Sequence, residues 1–349
     1  MGPKNMGKGG NPYIDALSGG LEAAGLTVDQ FTRRRLLGRY DIVHIHWPST
    51  LINWSSAPKA IMDIAKVSAL LTLAHRRGSH IVWTAHDLGP HETPHPRLWH
   101  AFRRVFMRQV DTVISLSPGG VELLEAVDPG IRKKSVHVVP HGHYRGLYPM
   151  PTETAASTRR RFGVPESGTL FLVFGQLRPY KGIDDIIRTF ANMSSDATLL
   201  IAGASIDADH TAVLQKLVAT TPNVVLHVDR ISEQDTSALM HACDVVLAPY
   251  TEGSSLNSGA ALLALSFDRP VVVRNTAVMR DLQQQCGAQW VHLASSGEDT
   301  VAIMNARSVA SQLKNSSPDL EALRWDRVVQ QTIAAYAAQT TRHVAMRSA

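Results

Sequence analysis

Arg178 and Lys181 stand in FGQLRPYKG at 174–182, bracketed by Gly175 and Gly182. Residues 171–174 are continuously apolar, as a strand buried on both faces requires, and a helical pattern begins near Ile183. The two cations therefore sit on a loop at the carboxyl end of a strand, where open α/β sheets take ligands. N–H groups of the following helix point to the same spot, and with Arg and Lys they favour an anion such as a diphosphate. The competing reading is a surface turn with two solvated cations. A second jaw for the same anion is Asn257-Ser258-Gly259, just ahead of the apolar run ALLALSF. Its N–H groups and the Ser258 hydroxyl would grip from the opposite side, unless Asn257 or Ser258 only caps the helix.

Histidines and acids gather in the first half of the chain. His44, His46, His86, Asp87, His91 and Glu92 fall at or just beyond expected strand ends, and His44 and His46 share one face of their strand. His141, His143 and Tyr144 follow in VVPHGHY. Such groups exchange protons with a substrate hydroxyl, although each histidine also fits a satisfied core or rim position. The spacings H-x-H and H-x4-H lie on different loops without a cysteine partner, a weak zinc signal, so neither a metal nor another cofactor is expected. Cys243 and Cys286 read as buried or incidental thiols rather than a disulfide framework. A net charge of +5 with a pI near 9.3 leaves room for an anionic partner. No finger spacing, ribonucleoprotein motif or long basic run points to nucleic acid. No apolar run is long enough for a membrane span or an export signal.

The elements that must position these residues alternate strictly. Strands are expected at 41–46, 80–85, 111–116 and 135–140, then at 169–175, 197–202, 223–228, 244–248 and 270–273. Helices are expected at 57–77, 96–110 and 118–126 in the first half, and again between the later strands. Alternation of this kind means parallel sheets covered on both faces, and two series over 349 residues mean two doubly wound domains. Gly, Pro and small polar residues interrupt the pattern at 141–168, which divides the chain into 1–150 and 151–322. The first domain lacks an opening strand: MGPKNMGKGG leads directly into a helix from Pro12, and a first strand lost through a late start codon or trimming is the expectation.

Taken together, these features resemble the GT-B glycosyltransferases, two Rossmann-like domains facing each other across a cleft. FGQLRPYKG is similar to the FVGRLxxxKG-like turn that opens their second domain. LLIAG at 199–203, ACDVVLAPYTEG at 242–253, DRPVVV at 268–273 and the C-terminal RWDRV…Y element follow in order. The resemblance implies that Arg178 and Lys181 contact the donor diphosphate, with Gly175 and Glu252 beside it, and that a helix over 323–340 packs back on the first domain. RYDIVHIHWP at 39–48, HDLGPHE at 86–92, HGHYRG at 141–146 and NSG with LLALSFDRPVVV at 257–273 resemble more closely the bacterial exopolysaccharide mannosyltransferases of the xanthan β-mannosyltransferase type. Those imply inverting, metal-independent transfer of mannose from GDP-mannose to a polyprenyl-diphosphate-linked oligosaccharide.

Retaining relatives carry two glutamates about eight positions apart after the APY-like strand. Here Glu252 stands near the first position, but the second falls at Leu263, which argues against a retaining mechanism. Inversion needs a base for the acceptor hydroxyl. Glu92 is the first choice and His46 the reserve, because Asp87 sits where that family accepts a neutral residue. The resemblance implies that His86 orients the donor sugar, with His91, His141, His143 and Tyr144 lining the acceptor side or cleft. Arg97, Arg103, Arg104 and Arg108 alternate with Trp99 and Phe106. That pattern suits either contact with an anionic membrane or an ordinary helix with its apolar face inward. The location expected is cytoplasmic, at the inner face of the plasma membrane. A retaining α-transferase, a nucleotide-sugar epimerase and a non-catalytic nucleotide-sugar binder stay open as alternatives.

Overall fold

The computed structural model describes residues 11–30, 32, 34–89, 94–193, 196–249, 256–295, 299–313 and 315–347, with side chains as far as residue 338. The chain forms two compact units. One comprises Met1–Gly142, Ser254–Asn257 and Ala322–Ala349; the other comprises His143–Gly253 and Ser258–Glu321.

In the first unit, α1 (Pro12–Ala23) starts where Asn11 Oδ1 accepts the Tyr13 N–H at 3.1 Å, with Pro12 in the first turn where no donor is lost. There follow β1 (Ile42–Ile45), α2 (Ala57–Arg76), β2 (His80–Ala85), α3 (Pro96–Gln109), β3 (Thr112–Ser115), α4 (Pro118–Val127) and β4 (Ser135–Val138). The described strands are parallel in the order β1-β2-β3-β4. Every residue of β2 is buried, as a central strand covered on both faces must be.

In the second unit, α5 (Ala155–Arg161) leads into β5 (Thr169–Phe174), α6 (Ile183–Ala191), β6 (Ala197–Ala202), α7 (Ala208–Ala219), β7 (Val224–His227), α8 (Glu233–Ala242) and β8 (Val245–Ala248). The unit continues with α9 (Gly259–Ser266), β9 (Val271–Arg274), α10 (Ala277–Cys286), β10 (Val291–Ala294) and α11 (Asp299–Ala310). Its parallel sheet has the order β10-β9-β8-β5-β6-β7. The strand order reverses between β5 and β8. Apolar residues of β5, β6, β8 and β9 pack with α6 and α11 into one core, including Phe171, Phe190, Ile201 and Ile303.

The fold class is the α/β class expected, with two parallel sheets. The nine expected strands appear within a residue or two of their limits; the tenth, β10, was not among them. Its WVHLA run at 290–294 follows Gly287, whose φ of +99° turns the chain out of α10. The final helix, α12 (Trp325–Arg347), belongs to the first unit, where Val328, Val329, Ala335 and Tyr336 pack with Tyr13, Ile14, Leu17 and Leu21 of α1. Among the described residues no helix is long and apolar enough to cross a membrane.

Candidate active site

The loop after β5 is built around Lys181. Gly175 turns the chain at φ +94°, and a one-turn helix, Pro179–Lys181, brings the lysine back beneath it. Lys181 is 7% exposed, with Nζ 3.4 Å from the Phe174 carbonyl. A Cβ on Gly175 would sit 3.4 Å from that Nζ. Burial, and then the neighbouring Arg178 charge, push the ammonium down to about 8. Arg178 is half-buried, its Nε and Nη2 on Gln176 Oε1 at 3.3 and 3.2 Å. Gly182, left-handed at φ 60°, opens α6, so first-turn N–H groups start directly after the lysine. Both cations thus stand at the carboxyl end of β5, beside the reversal in strand order.

On the other side of that reversal, β8 leads to α9. Ser258 caps α9, its Oγ accepting the Ala261 N–H at 3.2 Å, so the capping reading holds for this hydroxyl. Tyr144, buried with its N–H on Ser266 Oγ at 2.8 Å, places its hydroxyl 3.6 Å from where a Gly259 Cβ would lie. Tyr144 therefore borders the start of α9 within the second unit. Leu263 is 4% exposed in the apolar interior. Arg274, which sequence reasoning passed over, donates to the Pro249 carbonyl at 3.1 Å and pairs with Asp299 at 3.0 Å, bracing the end of β8. Glu252 lies outside the described residues.

The first unit gathers the histidines. His44 is satisfied on both sides, Nδ1 at 2.7 Å from Tyr336 Oη and Nε2 at 2.7 Å from Thr84 Oγ1. His46 Nδ1 lies 3.1 Å from His86 Nε2, while its own Nε2 is buried without a partner. His86 stacks on Trp47 at 4.4 Å between centroids and meets the Tyr13 ring edge-on at 4.9 Å. His141 turns its Nδ1 to the Gly142 carbonyl at 2.7 Å and lies 4.4 Å from the Tyr13 ring. Burial pushes His44 down to about 3 and His141 to about 4, and holds His46 and His86 well below the usual range. All four are neutral at neutral pH. The Leu256 N–H, counted with this unit, bonds the His86 carbonyl at 3.2 Å. His143 begins the second unit and is half-buried.

Glu92 and His91 lie outside the described residues. Among those described, no three His, Cys, Asp or Glu side chains group as metal ligands. Sequence reasoning missed Tyr13 and Trp47 as ring partners of the histidines. Trp47 had one local signal, its place directly after His46; Tyr13 had none. On α3, Trp99, Phe102 and Phe106 are buried, whereas Arg97, Arg104 and Arg108 are exposed. The aromatic part of the membrane expectation is thereby corrected: Trp99 and Phe106 complete the interior, and the arginines are among the residues that face outward.

This architecture agrees with what known proteins show. Residues 31–142 match the glycosyl transferase 4-like domain and residues 168–306 the glycosyl transferases group 1 domain. The chain is a glycosyltransferase of the GT-B fold. It is 28% identical over 323 residues to the GDP-mannose:glycolipid 4-beta-D-mannosyltransferase of Xanthomonas campestris pv. campestris, covering 92% of this chain and 86% of that one. Among solved structures it is similar to sucrose-phosphate synthase from Thermosynechococcus elongatus, with a TM-score of 0.61, 16% identity, and 99% and 96% of the two chains covered. Anabaena HepE in complex with UDP-glucose gives a TM-score of 0.60 at 17% identity over 90% and 88% of the chains.

Proposed function

We propose that this glycosyltransferase moves mannose from GDP-mannose to a polyprenyl-diphosphate-linked oligosaccharide with inversion, as a step of exopolysaccharide assembly. One observation carries the donor half: Arg178 and buried Lys181 on one side of the strand-order reversal, and the start of α9 on the other. A dinucleotide- or diphosphate-sized anion suits such a place, because two cations and the first turn of α6 stand together at the carboxyl end of β5, where the strand order reverses. As the sugar–phosphate bond breaks, charge grows on the leaving diphosphate, and fixed positive groups stabilise that growth more than they stabilise the bound donor. Lys181, part-desolvated and pushed down to about 8, regains its full charge beside an anion, and metal-independent transfer is the corresponding expectation. The mannosyl donor, glycolipid acceptor and β linkage are those named for the Xanthomonas relative. Leu263, aliphatic and buried, supports inversion, since a retaining site would need a carboxylate there.

A thermal-shift titration with GDP, UDP, GDP-mannose and UDP-glucose tests this reading. GDP and GDP-mannose should stabilise the protein by mass action. Arg178→Ala and Lys181→Ala should each weaken GDP binding by tenfold or more, since a hydrogen bond to a charged group is worth about 1.5–3 kcal/mol. The wild-type shift should decline above about pH 8 as Lys181 loses its proton. If both variants bind GDP as tightly as the parent does, the donor site lies elsewhere.

A further inference from the structure

We infer that the first unit takes up an extended apolar peptide as a further strand, paired parallel to β1. Among the described strands β1 stands at the edge of its sheet, with β2 on one side and no strand on the other. Two printed bonds fix which way its main-chain groups point. The His80 N–H bonds the Asp41 carbonyl at 2.7 Å, and the Asp111 N–H bonds the Ile81 carbonyl at 2.9 Å. Residues facing one neighbour alternate along a parallel ladder. Asp41, Val43 and Ile45 therefore turn their N–H and C=O groups to β2, and Ile42 and His44 turn theirs to the open side. Among the described residues nothing pairs with the main chain of Ile42 or His44 there. Water is scarce as a substitute, since His44 is 3% exposed and Val43 and Ile45 are equally buried. Buried main-chain groups without partners are rare, because each carries the cost of an unmade hydrogen bond.

A cavity of about 770 Å³ borders this edge. Its walls include Ile42 and Val43 of β1, Leu26 and Val28 after α1, Leu36, and Tyr336 of α12, and none of its lining residues belongs to β2. Ile42 packs with the core beneath α1 and α12, and Val43, next along the strand, points to the other face. The cavity thus offers apolar contact on both faces, which suits a continuous apolar run. An occupant must also supply N–H and C=O groups at alternate positions over about 13 Å, the length of a four-residue strand. An extended polypeptide does both. A lipid tail or a small apolar molecule would leave the edge of β1 unpaired.

The course of α1 fixes the direction. Tyr13, in its first turn, meets the rings of His86 and His141, which follow β2 and β4. Leu21, near its end, borders the cavity together with Asp41 at the start of β1. The helix therefore runs antiparallel to β1, and a strand in the gap takes the place of the opening strand of a β-α-β unit, whose two strands are parallel. Residues 1–10, MGPKNMGKGG, hold no apolar run that could fill it. The occupant is accordingly a peptide segment from outside residues 1–349, added to the sheet edge by main-chain pairing.

The test uses the full chain and a fluorescein-labelled peptide whose run of Val, Ile and Leu matches β1 in length and is flanked by lysines. Its anisotropy should rise saturably in the micromolar range. Amide exchange at Ile42 and His44 should slow by about tenfold or more, and by more than at Val43 and Ile45, whose amides already face β2. A spin label at the amino end of the peptide should broaden the Asp41 resonances, and one at the carboxyl end those of His46. The same peptide N-methylated throughout keeps its apolar area but cannot donate, and should bind about tenfold more weakly or not at all. Ile42→Pro removes an N–H on the open side alone, leaving the pairing with β2; Val28→Asp puts a charge on the cavity wall without touching the sheet. Each should weaken peptide binding by about tenfold with an unchanged far-ultraviolet spectrum. The inference is overturned if binding does not saturate at millimolar peptide, if the methylated peptide binds as well, which would make the cavity an apolar pocket only, or if the folded variants bind as the parent does. Protection of Ile42 and His44 that grows with protein concentration in the absence of peptide would assign the edge to a second copy, and would overturn it as well.

Discussion

Four imidazoles taken out of water together make the first unit sensitive to acid. His44, His46, His86 and His141 are each 8% exposed or less, and burial is the main cause of every downward shift. A histidine whose folded value lies below its unfolded value of about 6.5 binds its proton more readily when unfolded. Its contribution to stability is therefore complete above about pH 6.5 and is lost as the pH falls toward the folded value. One pH unit below 6.5 costs about 1.4 kcal/mol per group, so the urea midpoint should drop markedly between pH 7.5 and pH 5.5. His44→Gln should flatten that dependence in part. A midpoint constant over this range would mean that the rings are hydrated.

At the scale of elements, the donor loop depends on how closely β5 and β6 end together. The Gly175 N–H bonds the Ala202 carbonyl at 3.1 Å and the Leu177 N–H bonds the Ala204 carbonyl at 2.9 Å, so the pairing continues past the strands into the cationic turn. This is possible because residue 203 has no side chain: a Cβ there would lie 1.9 Å from the Gly175 carbonyl oxygen. Backbone on both sides leaves no flexible neighbour to yield. Gly203→Ala should therefore part the two strand ends, cost about 1–3 kcal/mol, and weaken GDP binding by moving Gly175 away from Lys181. Equilibrium urea unfolding and GDP titration on the same variant check this. Unchanged values in both would show that the strand ends have room to spare.

At the scale of the whole molecule, the chain contributes both of its ends to one unit: α12 shares a core with α1, and Tyr336 reaches His44. Each unit thus has its own interior and its own strand-end chemistry. The net charge of +5 also belongs to this scale. Arg97, Arg104 and Arg108 face outward on one helix whose rings face inward, so attraction to an anionic bilayer would be electrostatic. Each basic residue near such a surface is worth about 1 kcal/mol, so replacing the three with Gln should weaken binding to phosphatidylserine vesicles by about a hundredfold. Binding of the parent should vanish at 0.5 M salt, where the screening length is a few ångströms. Flotation that persists in high salt would point to an apolar contact instead.

Nearly all of the fold could be read from the sequence, because each strand is a short apolar run between turn residues and each helix has a local start signal. Asn11-Pro12 and Gly182-Ile183 are examples of such starts. Arg178 and Lys181 were equally legible: a strand, a turn and a helix within a dozen residues define the place of both cations. Decided only in three dimensions were the contacts between residues far apart in the chain. His44 meets Tyr336 from 292 positions away, and Tyr13 enters the ring cluster from the first helix. The aromatics of α3 turn inward. No periodicity encodes these partners, since which face of an element is covered depends on the elements that fold against it. The sequence alone determined an α/β glycosyltransferase with a cationic turn after β5; tertiary packing decided which histidines are buried together and which rings they meet. The physical reason is that desolvation and charge, unlike helix and strand propensity, are properties of surroundings assembled from distant parts of the chain.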